Sequence, residues 1–153
     1  VYAFTPAPAA TGRRFELDLG FQDDLHVLRF HAKEQAGGRT IRWSRATSFV
    51  AVTTVHESAR NVLLVMSNGG RPAAAPAPAV EVYFHGELLG TVMVADGFEA
   101  YSVPIPPGLA ARAAALGDPV ELKLLTAVWN PHRIIGSADD RDLGVMVDRV
   151  AVQ

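Results

Sequence analysis

The chain has 153 residues, 49% of them hydrophobic, with 14 basic against 16 acidic side chains and a formal charge of −2. Length and hydrophobic content fit one globular domain with a real core, and the charge balance offers no basic field to hold a nucleic-acid backbone. The absence of cysteine removes disulfides, thiolate catalysis and cysteine-based zinc sites, and no apolar run approaches the ~20 residues needed to span a bilayer.

The first residue is Val1, not Met, which reads as the start of an excised or processed piece. Residues 1–13, with Pro6 and Pro8 among alanines, read as a linker or arm. The remainder, 14–153, reads as a single domain. Phe15 to Leu19 alternates apolar and acidic residues, as a half-buried strand does. Leu25 to Lys33 reads as extended, and Gly37-Gly38 as a turn. Thr40 to Ser44 and Phe49 to Val55 are β-branched and aromatic, with a polar connection, and predict a hairpin. Val62 to Met66 is continuously apolar, predicting a central strand buried on both faces or one with a large bulge. Asn68 to Pro78 is low in complexity and predicts a flexible or polyproline-like loop, too poor in large side chains to pack.

Ala79 to His85 alternates cleanly, with Val80, Val82 and Phe84 inward and Glu81, Tyr83 and His85 outward. A tight turn at His85-Gly86 leads into Leu88 to Val94. Asp96-Gly97 turns into a strand over Phe98 to Ile105. Leu109 to Leu116, closed by Gly117, is the one helical candidate, and Val120 to Thr126 returns to strand. The last strand carries a parity slip: Val145 and Val147 share one parity, Val150 and Val152 the other. Four inward valines then require an inserted residue, so a β-bulge is expected near Asp148-Arg149. Many short strands, frequent turns and one short helix predict an all-β antiparallel sandwich of jelly-roll type.

Chemistry-bearing motifs are few. No nucleophile elbow or phosphate-cradling loop occurs, since Gly69-Gly70 lacks both the lysine and the strand–loop–helix context. Asp139, Asp140 and Asp142 lie close in sequence, but aspartates so clustered usually form turns, and a glycosidase needs two carboxylates about 5–10 Å apart across a cleft. The histidines His26, His31, His56, His85 and His132 show no metal-binding spacing and read as surface or loop residues. Calcium remains possible, since oxygen ligands can converge from distant loops; Asp18 and Asp148 are candidates if the chain ends lie side by side. The competing reading pairs Asp148 with an arginine.

Sugars bind to flat apolar rings and to polar groups that take their hydroxyls. Trp129, with Asn130, His132 and Arg133, offers such a set, and Tyr83 and His85 share the outward side of a strand. Trp129 equally fits a core plug, and Trp43 fits the core.

Two stretches carry a resemblance: Gly20, Phe30 to Glu34, Ile41 to Ser44, Val80 to Gly90, Tyr101 and Pro104 to Pro106 form one, Asn130-Pro131 and Asp140 to Asp148 the other. Together they resemble the carbohydrate-binding-module-like, galactose-binding-like jelly rolls attached to bacterial polytopic membrane proteins of the lipid-linked-sugar glycosyltransferase type. The resemblance implies a non-catalytic accessory domain on the extracytoplasmic side, periplasmic or at the cell surface. Its partner would be carbohydrate or the rest of the parent membrane protein, with no cofactor required and calcium possible. It also implies structural roles for Trp43, Arg141 and Asp148, the last two as a pair pinning the long loop to the final strand. The departure lies in the loop Trp129 to Ser137, which puts shared ligand specificity in doubt. A docking domain without a sugar ligand, or a small sandwich-fold glycoside hydrolase, are the alternatives.

Overall fold

The computed structural model describes residues 14–153, so the arm expected at 1–13 lies outside the described residues. The strands are β1 (Phe15–Asp18), β2 (Val27–Phe30), β3 (Glu34–Ala36), β4 (Arg39–Val52), β5 (Asn61–Ser67), β6 (Ala79–Phe84), β7 (Glu87–Met93), β8 (Glu99–Pro104), β9 (Val120–Thr126) and β10 (Met146–Val152). Helix α1 (Pro107–Ala115) follows β8, and helix α2 (Pro131–Ile135) lies between β9 and β10. The strands form an antiparallel sandwich. Its first layer holds β1, β10, β5 and β8; the second holds β2, the end of β4, β9, β6 and β7.

Strand β4 belongs to both layers. Arg42 and Trp43 pair with Val147 and Met146 of β10, whereas Thr47 to Val52 pair with Leu125 to Val120 of β9. The expected hairpin of 40–44 with 49–55 is therefore one continuous strand. Its polar middle, Arg45-Ala46-Thr47, contains none of the residues that turn a chain. Ser48 Oγ accepts from the Arg45 amide at 2.9 Å and donates to the Arg29 carbonyl at 2.8 Å, satisfying the backbone where the strand changes layer. Buried parity changes at the same place, from Ile41 and Trp43 to Ser48, Val50 and Val52.

The bulge in β10 lies where the valine parity puts it. Val147 faces Met66 and Arg149 faces Val65, leaving Asp148 as the extra residue. Val145, Val147, Val150 and Val152 are all buried as a result. Strand β5 departs from expectation. Val62, Leu64 and Met66 are fully buried, but Leu63 and Val65 are only half-buried, so one face alone meets the core. The irregularity sits in its neighbour β10.

The β6–β7 hairpin turns through His85 (φ 51°) and Gly86 (φ 82°). Two consecutive left-handed residues define the type I′ turn, whose twist matches the strands it joins. Helix α1 buries Leu109, Ala110 and Ala113 and begins at Pro107, where a missing amide hydrogen costs nothing. Helix α2 is a second helix where irregular loop was expected. Asn130 caps it, Pro131 opens it, and Gly136 (φ 67°) ends it in the left-handed region.

Two apolar clusters result. The larger fills the space between the layers; the smaller consists of Ile41, Trp43, Trp129 and Leu143. Ala75 packs against the smaller one, so the Asn68–Pro78 loop is fastened rather than loose. Arg71 is its fastener. The guanidinium donates to the carbonyls of Pro76 (2.8 Å), Ala127 (2.9 Å) and Gly144 (2.7 Å), and burial pulls its pKa down.

A buried ion pair anchors the loop between β1 and β2. Arg42 donates to both oxygens of fully buried Asp23 (2.7 and 2.9 Å) and to Asp24 (2.7 Å), while the Gly20 amide donates to Asp23 at 2.9 Å. Burial alone would raise the Asp23 pKa, but the Arg42 hydrogen bonds and charge, with the Gly20 amide, hold it below the ordinary aspartate range. The unfolded chain therefore takes up this proton first as the solution is acidified. The pair's contribution is expected in full above pH ~4 and lost as pH falls through the lower folded value; urea midpoints measured across that range check it. Arg42→Met, which leaves a buried carboxylate uncompensated, is expected to cost ~3–5 kcal/mol by the same measurement.

Glycine 144 lies against β4: a Cβ there would sit 2.2 Å from Ser44 Oγ and 2.9 Å from its carbonyl oxygen. The Gly144 amide donates to that carbonyl at 2.8 Å, so the segment leading into β10 cannot move off β4 without losing the bond. Gly144→Ala is expected to lower unfolding free energy by ~1–3 kcal/mol, read from thermal or urea melts.

Candidate functional site

The Trp129 region proves structural. Trp129 is 5% exposed, bridges to Leu143 through two backbone bonds of 2.8 and 2.9 Å, and packs with Trp43. Its ring faces protein, which corrects its assignment as a sugar platform, and its indole nitrogen is buried without a partner. Asn130 is spent on the helix: Oδ1 accepts from the Arg133 amide at 3.1 Å, and Nδ2 donates to the Asp140 carbonyl and to the Asp140 and Asp142 carboxylates. His132 and Arg133 are exposed on α2, and His132 Nδ1 donates to the Ser137 carbonyl at 2.8 Å. The polar cluster that marked this segment in sequence is the wiring of a helix cap.

The assigned ionic partners also change. Arg141 does not pair with Asp148. It donates to both oxygens of Asp139 (2.9 and 2.8 Å) and to Glu34 (3.0 Å), thereby tying the loop to β3. Asp148 instead accepts from Arg39 at 2.6 Å. The bulge explains this, because it turns the Asp148 side chain toward the start of β4. Strands β1 and β10 do lie side by side, with Asp18 opposite Arg149, and Asp18 accepts from the Thr40 hydroxyl at 3.2 Å. Among the described residues no three His, Asp or Glu side chains gather to hold a metal ion, and a guanidinium already neutralises Asp148. Asp148 is thus paired with an arginine, as the competing reading of the sequence had it. The Arg141 hydrogen bonds hold the Asp139 carboxyl below its ordinary range, the direction opposite to that a glycosidase's general acid requires. His31, expected at the surface, is buried with Nε2 donating to the Asp142 carbonyl at 2.8 Å; Trp43 is in the core as expected, its indole donating to Glu34 at 3.1 Å.

The outward face of the second layer is a different kind of surface. Register places Leu28, Phe49, Lys123, Tyr83 and Leu88 in one row across five strands. The adjacent row is Thr47, Leu125, Glu81 and Thr91, and Glu121 lies beyond on the other side, opposite Ala51. Phe49, Lys123 and Tyr83 are half-buried. Lys123 Nζ lies 4.4 Å from the centre of the Tyr83 ring, and the Tyr83 hydroxyl donates to Glu81 at 3.4 Å. His85 sits in the turn at the row's end, its amide donating to the Glu121 carbonyl at 3.0 Å. Of the residues singled out from sequence, Tyr83 and His85 belong to this face. Phe49, Lys123 and Glu121 were missed. Their alternation with buried neighbours was visible, but only the strand order puts them beside Tyr83.

No protein-family model matches the chain, and no curated protein does. Among solved structures it is similar to a mutant of a family 29 carbohydrate-binding module, with 9% identity, 92% of each chain covered and a TM-score of 0.48. A mutant family 29 module complexed with mannohexaose gives 8% identity, 91% and 89% coverage and a TM-score of 0.49. Another, complexed with cellulohexaose, gives 10%, 92% of each chain and 0.45.

Trp129→Ala is expected to cost ~3–5 kcal/mol and to broaden or abolish cooperative unfolding, as a core truncation does; denaturant melts measure it. In double-mutant cycles, Arg39 and Asp148 are expected to couple, whereas Arg141 and Asp148 are expected to be additive.

Proposed function

We propose that this domain is a non-catalytic carbohydrate-binding module whose ligand lies on the outward face of the second layer, centred on Tyr83. One observation carries the reading: the row Phe49–Lys123–Tyr83, bordered by Glu81, Glu121, Thr47 and Thr91. Apolar ring faces offer contact to the C–H side of a pyranose, and the surrounding carboxylates, ammonium and hydroxyls offer partners for its hydroxyls. Lys123 lies over the tyrosine ring in the free protein, so the ligand must move it aside. Giving up an exposed cation–π contact costs about 0.5–1 kcal/mol, small enough for hydroxyl hydrogen bonds to offset. In this reading the domain serves as an accessory to an extracytoplasmic, membrane-borne glycosyltransferase-type protein. That setting rests on the sequence resemblance alone.

The test is a glycan array followed by calorimetry on the hits, with and without calcium. Saturable binding is expected, weakened at least about tenfold by Tyr83→Ala with the fold intact by circular dichroism. Absence of binding to every glycan in both conditions, or binding indifferent to Tyr83→Ala and Phe49→Ala, rejects the reading.

A further inference from the structure

The candidate sugar face does not end at Phe49. Leu28 and Phe49, the first two members of the Tyr83 row, also line a groove of about 300 Å³, with Glu121 on its wall. Leu25 and Pro119 are exposed in the same wall. Leu25 is 95% exposed and Leu28 63%, so the groove holds apolar side chains in water until something covers them. The backbone that carries them is fixed. The His26 amide donates to the Asp23 carbonyl at 2.8 Å, the Ala51 amide donates to the His26 carbonyl at 2.7 Å, and Arg42 grips Asp23 from inside the fold.

What the groove accepts is set by how few polar side chains line it. These are His26 and Glu121. His26 Nδ1 donates to the Ala51 carbonyl at 3.4 Å, and its ring lies 5.9 Å from that of Phe15, which leaves the Glu121 carboxylate as the main polar group. A sugar laid there would give up water at most of its hydroxyls without new partners, and an unpaired polar group removed from water is penalised. An apolar substituent gains from the same move. The row therefore changes character along its length: Leu28 and Phe49 at the β2 end, then Lys123 and Tyr83, with Glu81 beside them. Size and spacing narrow the substituent. A cavity of ~150 Å³ accepts a benzene ring, so the groove has room for a compact ring system and not for a long chain. Phe49 stands two strands from Tyr83. That is about 10 Å at the usual strand spacing, so one or two sugars on the tyrosine bring a glycosidic oxygen to the lip of the groove.

We infer that the ligand is a glycoside with a compact apolar aglycone, its sugar on the Tyr83 row and its aglycone in the groove between Leu25, Leu28, Phe49 and Pro119. This rests on the carbohydrate reading and adds the class of molecule that carries the sugar. Calorimetry on the whole chain tests it, with paired methyl and phenyl glycosides of the best array hit and of glucose, galactose and mannose. Burying one methylene is worth about fourfold in affinity, so a phenyl ring covered on one side is expected to bind at least about tenfold tighter than its methyl partner. Tyr83→Ala should weaken both members of a pair. Leu25→Ser, at a solvated side chain, should keep the wild-type melting curve and shrink the phenyl-over-methyl ratio. Equal affinity of the two glycosides overturns the inference and leaves the sugar reading standing. Phenyl glycoside binding that survives Tyr83→Ala marks a plain apolar pocket and overturns both. A ratio indifferent to Leu25→Ser, or no binding by any pair, overturns the inference, and the glycan array then decides the sugar reading by itself.

Discussion

One strand has to serve two layers, and the remaining structure is arranged around that constraint. β4 gives its early residues to β10 and its late residues to β9, so the relative position of the two layers is set by covalent continuity as well as by packing. Where it crosses, three separate devices satisfy its polar groups: the Ser44 contact with Gly144 and Val145, the Arg42–Asp23 pair, and the Ser48 hydroxyl. Each is buried or half-buried, where an unmet hydrogen bond is expensive. The crossing brings Trp43 against Trp129, forming the smaller apolar cluster. The same crossing turns Phe49 outward beside Lys123, so the candidate binding face begins where the core contact ends.

Side-chain alternation made much of this legible. Strand β6 and its inward residues follow from period two, and the bulge at Asp148 follows from four valines that period two cannot otherwise bury. The β4 crossing was not legible, because Arg45-Ala46-Thr47 reads as the polar connection of a hairpin unless a distant serine is known to supply its hydrogen bonds. Helix α2 had its signals in place, Asn130, Pro131 and Gly136, but at five residues it is too short to show a helical period. Ion pairs were the least readable. Arg141 and Asp148 are neighbours in sequence, yet the bulge aims one at β4 while the loop carries the other to β3.

The Trp129 loop illustrates how polar residues mislead when read without their backbone. Asn130, Asp139, Asp140 and Asp142 look like a binding set because each has an oxygen to offer. Most of those oxygens accept from amides or side chains within the loop itself. On the second layer the sheet ladder already satisfies the backbone, so side chains such as Glu81, Lys123 and Glu121 point outward without structural obligations of that kind. A sandwich thus separates its labour by face: irregular segments use polar groups to hold themselves, while a flat sheet leaves them free.

Arg71 has a different consequence. Its guanidinium is held by carbonyls from Pro76, Ala127 and Gly144, with no carboxylate in the group. Main-chain oxygens are the same whatever residue bears them, so the contact is blind to the side chains of the segment it binds. Apart from Ala75, which packs on the smaller cluster, the alanines and prolines between Pro72 and Pro78 can differ in identity without disturbing that contact. Much of what shapes eleven residues is thus concentrated in Arg71, with Asn68 turning the start and Ala75 packing the middle.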